Sequence, residues 1–207
     1  MDKLYIWYYT LARLPKGVSD SGEDFSLFDL NDKNNRGWTG LQYIPDEMLM
    51  IYEKRGALSF DWVMYKDSIM IVSEEFLSFI EKHWEKDFYK TSKLTVKNKK
   101  EEKCTTKNYY VLFVLKNDNE LFVVNEEGKK RASGLQGYFL YPNLTVKNLG
   151  KKLYYYDELC YHQALIFTEE VKEIIKKNFY KPEIYLLSDF PKVYNNRFRE
   201  SELPDIQ

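Results

Sequence analysis

An α+β fold built on a mostly antiparallel sheet is what this sequence predicts, on three observations. Short runs rich in Tyr, Phe, Val and Ile recur along the chain between clusters of Gly, Pro, Asn and Asp, the pattern of strands separated by turns. Two stretches, 71–84 and 166–179, read as a strand that runs straight into an amphipathic helix. Hydrophobic residues make up 44% and charged residues 30% of 207, which is globular usage in a chain long enough to bury a core without disulfides. We read one α+β domain over 1–207, with residues 86–107 as the place where a division into two lobes would fall.

In chain order, Leu4 to Tyr9 is a short aromatic run and predicts a first strand, ended by Pro15-Lys16-Gly17. Asp20 to Asp32 reads as an irregular strand with an acidic rim, followed by the turn-rich Asn31 to Gly37. Asp46 before Met48, Leu49, Ile51 and Tyr52, with Gly56 beyond Lys54-Arg55, predicts a short helix over 46–55. Phe60 to Tyr65 and Ser68 to Val72 are strands, with Asp61 out of character. Residues 86–107 hold eight lysines, three acids and few large apolar side chains, and predict an exposed hairpin or loop. Tyr109 to Leu115 and Leu121 to Val124 flank a polar turn and predict a hairpin. Tyr138 to Tyr141, Leu153 to Tyr156 and Ile184 to Leu187 are further strands, and the polar tail after Pro191 should wind over the surface.

The two strand-to-helix stretches align at an offset of 95. Ile71-Val72-Ser73-Glu74-Glu75-Phe76 falls on Ile166-Phe167-Thr168-Glu169-Glu170-Val171. A hydroxyl at Ser73 or Thr168 can cap the free amides that open a helix, and the two glutamates suit the positive end of its dipole. Phe76, Phe79, Ile80 and Trp84, and in the other copy Val171, Ile174, Ile175 and Phe179, form the apolar stripe. Helix-start chemistry therefore accounts for the paired glutamates without a substrate.

Equipment for catalysis is sparse. His83 lies near a helix end, and His162 follows Cys160 by two positions, where a strand would put both on one face but not in line for nucleophile and base. A hydrolase using His162 is a distant reading. No phosphate-binding glycine loop, nucleophile elbow or His-Glu-x-x-His occurs, and two Cys with two His at scattered spacing do not make a zinc site. We expect no catalytic residue, no metal and no cofactor. Two cysteines, 56 positions apart, fit free thiols in a reducing compartment. The N-terminal residues lack the apolar core of a signal peptide and no apolar run reaches the roughly 20 residues of a membrane span, so the cytosol is expected, without membrane contact.

A net charge of −1 supplies no global field for nucleic acid. The Lys-rich 86–107 segment, with Phe88 and Tyr89, nevertheless keeps a nucleic-acid-binding accessory protein as the alternative. The 18 Tyr, 13 Phe and 4 Trp suit sheet faces and contact surfaces alike, with the core taking most of them.

Asp61 to Met64, Ile71 to Leu77, Tyr109 to Leu115, and later Ala164 to Lys172 together resemble the immunity proteins of bacterial polymorphic-toxin systems. The resemblance implies a small cytosolic protein that binds a cognate toxin domain and blocks its active site or its folding, with no catalytic residues to carry over. Toxins that act on nucleic acids or nucleotides often present a basic cleft, so an inhibitor that covers one would set carboxylates beside aromatic anchors. The stretch Asp20 to Asp32 combines them without an intervening lysine, in Asp20, Glu23, Asp24, Phe25, Phe28, Asp29 and Asp32, and Trp38 follows beyond the Asn-rich turn. These are the candidate partner-binding residues, and a solvated acidic loop anchored by its apolar side chains is the competing explanation.

Overall fold

A computed structural model describes residues 3–8, 25–30, 43–52, 58–66, 68–124, 130–131, 139–140, 144–147, 150–158, 161, 163–196 and 207. It is mostly β-sheet with three short helices, an α+β protein. The chain forms two compact units: Leu14–Lys116, and Met1–Arg13 with Asn117–Gln207.

The unit spanning Leu14–Lys116 is a six-stranded sheet. Its strands are β2 (Phe25–Asp29), β3 (Glu47–Tyr52), β4 (Trp62–Lys66), β5 (Ile69–Ser73), β6 (Tyr89–Asn98) and β7 (Tyr109–Val114), in the order β2-β3-β6-β7-β5-β4. Every neighbouring pair is antiparallel except β3 with β6, which is parallel because the chain crosses over through β4, β5 and helix α1 (Glu74–Ile80) between them. One face carries a continuous core of Leu27, Met48, Met50, Leu94, Val96, Val111, Phe113, Ile71 and Val63. On the other, Trp62 stacks on Phe76 of α1 with ring centroids 5.8 Å apart.

Three sequence expectations fail, wholly or in part. Residues 47–52 form a strand, not a helix. Met48, Met50 and Tyr52 are buried while Glu47 is exposed and Leu49 and Ile51 are half-buried, an alternation of period two that the apolar spacing 48, 49, 51, 52 had disguised as a helical stripe. Residues 86–107 form an exposed turn only beyond Asn98, where Lys103 returns to bridge Lys97; ten of them are β6, a central strand. Tyr89, Ser92, Leu94 and Val96 are buried and Lys90, Thr91, Lys93 and Thr95 are exposed, so the lysines occupy solvent positions of a half-buried strand. The hairpin expected between Tyr109 and Val124 does not form, because β7 pairs with β5 and β6 while β8 (Phe122–Val124) pairs with β11 (Leu144–Val146).

Ser73 behaves as expected. Its Oγ accepts the Phe76 amide at 3.2 Å, capping α1, and donates to Asp61 Oδ1 at 3.3 Å. The out-of-character Asp61 is thereby explained. Buried at the start of β4, it also takes the Lys107 ammonium at 2.6 Å and so ties β4, α1 and the entry to β7 together. Tyr109 closes the same corner by donating its hydroxyl to the Phe60 carbonyl at 2.9 Å, and burial pushes its phenol pKa well up.

The other unit is a four-stranded antiparallel sheet of β1 (Leu4–Trp7), β12 (Leu153–Tyr156), β13 (Ala164–Thr168) and β14 (Ile184–Leu186), in the order β12-β13-β1-β14. The N-terminal strand is thus central, paired on both sides with strands from the far end of the chain. Two short pairs accompany it: β8 with β11, and β9 (Lys130–Arg131) with β10 (Phe139–Leu140). Helix α2 (Glu169–Asn178) follows β13 directly. Helix α3 (Phe190–Asn196) occupies what was expected to be a surface tail, with Phe190 and Val193 buried in the core and Pro191 in the first turn, where its missing amide is not needed. Aromatic rings fill this core: Phe122 meets Tyr154 and Tyr156 edge-on at 5.3 and 5.2 Å.

Thr168 departs from expectation. It makes no side-chain cap bond, and its Oγ1 is buried without a hydrogen-bond partner. Charge holds the first turn of α2 instead. Lys172, only 8% exposed, pairs with Glu169 and lies 4.4 Å over the Tyr5 ring, while the Tyr5 hydroxyl donates to the same carboxylate.

Candidate partner-binding face

The helix-start carboxylates are structural. Glu74 accepts from Asn108 Nδ2 at 2.9 Å, Glu75 lies 3.9 Å from Lys107, Glu170 pairs with Lys152 at 2.8 Å, and Glu169 binds Lys172 and Tyr5. Hydrogen bonds from Lys172 and Tyr5 hold the Glu169 carboxyl below the usual carboxylate range. Burial works against the Lys172 charge, but Glu169 outweighs it and keeps the ammonium's pKa raised. His83 packs on the Phe79 ring at 4.9 Å. Cys104 is a free thiol whose pKa burial raises, the opposite of an activated nucleophile. Cys160 and His162 lie outside the described residues. Among the described residues, no group of three or more His, Cys, Asp and Glu could hold a metal, and no helix is long and apolar enough to cross a membrane.

Of the candidate binding residues, Phe25, Phe28 and Asp29 lie on β2, an edge strand of the six-stranded sheet. Asp20, Glu23, Asp24, Asp32 and Trp38 lie outside the described residues. Strand alternation divides β2 between two faces. Leu27 turns into the core opposite Met50, while Ser26 and Phe28 turn to the other face opposite Ile51 and Leu49. Asp29 is half-buried at the end of the strand.

The outward face continues across the sheet. Leu49 is in register with Thr95, and Ile51 with Lys97, so Phe28, Leu49 and Thr95 form one row and Ser26, Ile51 and Lys97 the next. Phe28, Leu49 and Ile51 are half-buried, exposing part of their apolar surface beside lysines. Sequence reasoning missed Leu49 and Ile51 by placing them on a helix. It missed the arrangement of Lys93 and Lys97 by placing them in a loop. No signal in the sequence alone separated the two, because apolar residues at 48, 49, 51 and 52 fit a helix and a strand alike.

Beyond β6 the chain turns back at Asn98. Its side-chain oxygen accepts the amides of Lys100 and Glu102 at 2.8 and 3.0 Å, and Glu101 takes a left-handed φ of 63°. The returning segment and the β6–β7 surface enclose a cleft of about 520 Å³, lined by Lys93, Lys97, Lys103 and Lys107, with Glu101 and Tyr110 also on its wall. Its chemistry is basic and aromatic.

No curated protein matches this chain. The profile of the family described as Immunity protein 43 matches it over residues 26–201, which takes in β2, β3, β6 and both strand-to-helix segments. The chain belongs to the Immunity protein 43 family.

Proposed function

We propose that this protein binds a cognate toxin domain in the bacterial cytosol and neutralises it by protein–protein contact, without catalysis of its own. The observation that carries this is the family match, which spans most of the chain. Immunity proteins imply a toxin partner in general, and the composition of the β2–β3–β6 face supports direct binding: an apolar strip of Phe28, Leu49 and Ile51 bordered by charge is how interface centres and rims are built.

The interface we assign is the β2 edge with its acidic flanks, meaning Asp20, Glu23, Asp24, Phe25, Phe28, Asp29, Asp32 and Trp38. Carboxylates there would meet a basic toxin cleft while the aromatic side chains anchor. The strand-to-helix segments 71–84 and 166–179 are read as two copies of one unit that build the scaffold and take no part in contact.

The test uses cells that express the neighbouring toxin domain together with this chain, and association kinetics of the purified pair. Reversing Asp24 and Asp29 to Lys together is expected to slow association about tenfold and to weaken its salt dependence. Unchanged association rate with unchanged cell protection removes this segment from the interface. Retention of a labelled oligonucleotide at physiological salt, with a steep salt slope, supports the nucleic-acid reading instead.

A further inference from the structure

Lys97 and Lys103 face each other across an isolated antiparallel bridge. Like charges directly opposite on a sheet destabilise it, and cross-strand neighbours ordinarily alternate in sign, as Glu47 and Lys93 do on this same face. At the same turn, Glu102 accepts from Asn98 Nδ2 at 2.9 Å and makes no ion pair with either lysine. Lys97 is half-buried and Lys103 exposed, and among the described residues neither ion-pairs with a carboxylate. Lys107, on the same cleft, has its charge committed to Asp61. The fold thus sets two lysines opposite each other on the wall of a cleft of about 520 Å³, where Glu101 also lies but ion-pairs with neither.

We infer that the Lys97–Lys103 pair is an anion subsite that receives a carboxylate-bearing, acidic segment of a protein partner. Three observations choose a protein over nucleic acid. The apolar neighbours Ile51 and Leu49 are in register with Lys97 and Thr95, so the pair borders an apolar strip. The chain's net charge of −1 gives no field to gather a polyanion. The basic cluster also stands two strands from the β2 edge, about 10 Å away. A partner surface of ordinary size would span the lysines together with the half-buried apolar side chains of β2 and β3. That the partner is the toxin rests on the reading above, whereas the subsite does not.

The probe is a fluorescein-labelled, glutamate-rich 12-residue peptide, followed by anisotropy at low salt against the intact chain. Binding is expected, and Lys97→Gln with Lys103→Gln together should weaken it at least tenfold. The single change Lys103→Glu should abolish binding while raising the thermal midpoint by roughly 1–3 °C, because a repelling pair becomes an attracting one. That gain also shows the variant is folded. No peptide binding by the wild-type chain, or a lowered midpoint for Lys103→Glu, overturns the inference. So does tighter, steeply salt-dependent binding of a 12-nucleotide single strand, or displacement of the peptide by inorganic phosphate at lower concentration. Peptide binding lost with cell protection intact overturns the subsite's place in the toxin interface. Failure of the wild-type chain to protect overturns the toxin reading and leaves the lysine pair standing.

Discussion

Replacing Ser73 with Ala should cost far more than changing Thr168, although the two occupy matching positions in the sequence. Ser73 is fully buried, and its Oγ makes two bonds: it accepts the Phe76 amide at 3.2 Å and donates to Asp61 at 3.3 Å. Losing an N-cap costs about 1 kcal/mol, and here the freed amide is buried and Asp61 loses one of its partners, which brings the total to about 2 kcal/mol. Thr168 caps nothing, and its buried hydroxyl finds no partner. Thr168→Val keeps the shape and removes that hydroxyl, so it should be neutral or stabilising by up to about 1 kcal/mol. Urea denaturation separates the cases. With a slope near 2 kcal/mol per molar, Ser73→Ala lowers the midpoint by about 1 M, while Thr168→Val leaves it unchanged or raises it. Equal losses in the two variants would refute the claim that cap geometry, rather than the hydroxyl residue itself, sets the energy.

Tyr109 should make the Leu14–Lys116 unit sensitive to alkali. Burial raises its phenol pKa, so its contribution is fully present below the unfolded value near 10 and is lost as pH rises toward the folded value. Tyr109→Phe loses the bond to the Phe60 carbonyl, about 1 kcal/mol at neutral pH, but should show a flatter decline in thermal midpoint between pH 10 and 12. Lys151→Met should destabilise by about 3 kcal/mol, because it leaves the Asp118 carboxylate, 4% exposed, with the Tyr155 amide but without its cation. Lys152→Met, which breaks an exposed pair with Glu170, should cost under about 1 kcal/mol in the same denaturation assay.

The α+β class, the first strand, the Ser73 cap and the helices after Ser73 and Thr168 were legible in the sequence because each rests on local chemistry within a few residues. The failures share a non-local cause. Residues 47–52 carry apolar groups at spacings that satisfy a helix and a strand alike, and only pairing with β2 and β6 selects the strand. The expected hairpin after Tyr109 failed because β8 finds its partner, β11, some twenty residues later, which no turn signal announces. Thr168 has the capping residue type, but its Oγ1 is not bonded to the helix amides. Of the candidate binding residues, the placement of Phe28 on the outward face was recoverable from strand alternation once Leu27 was assigned to the core. Leu49 and Ile51, its neighbours there, were not recoverable without the sheet order.

The lysines that concealed β6 are the strongest physical sign that its outer face is used. A strand with one face in the core needs polar residues on the other, and Thr91 and Thr95 meet that need at no electrostatic cost. Stability also favours opposite charges across the sheet, which the Glu47 and Lys93 register provides. Neither requirement explains Lys97 opposite Lys103, where any acid on either side would hold the turn better. The turn itself has other means of support, since the Asn98 side chain accepts two amides and donates to Glu102. A repelling pair at a turn already fixed by hydrogen bonds costs stability without shaping the fold. Recognition of an acidic partner accounts for that cost, because the same repulsion that weakens the free protein is relieved when a carboxylate settles between the two ammonium groups.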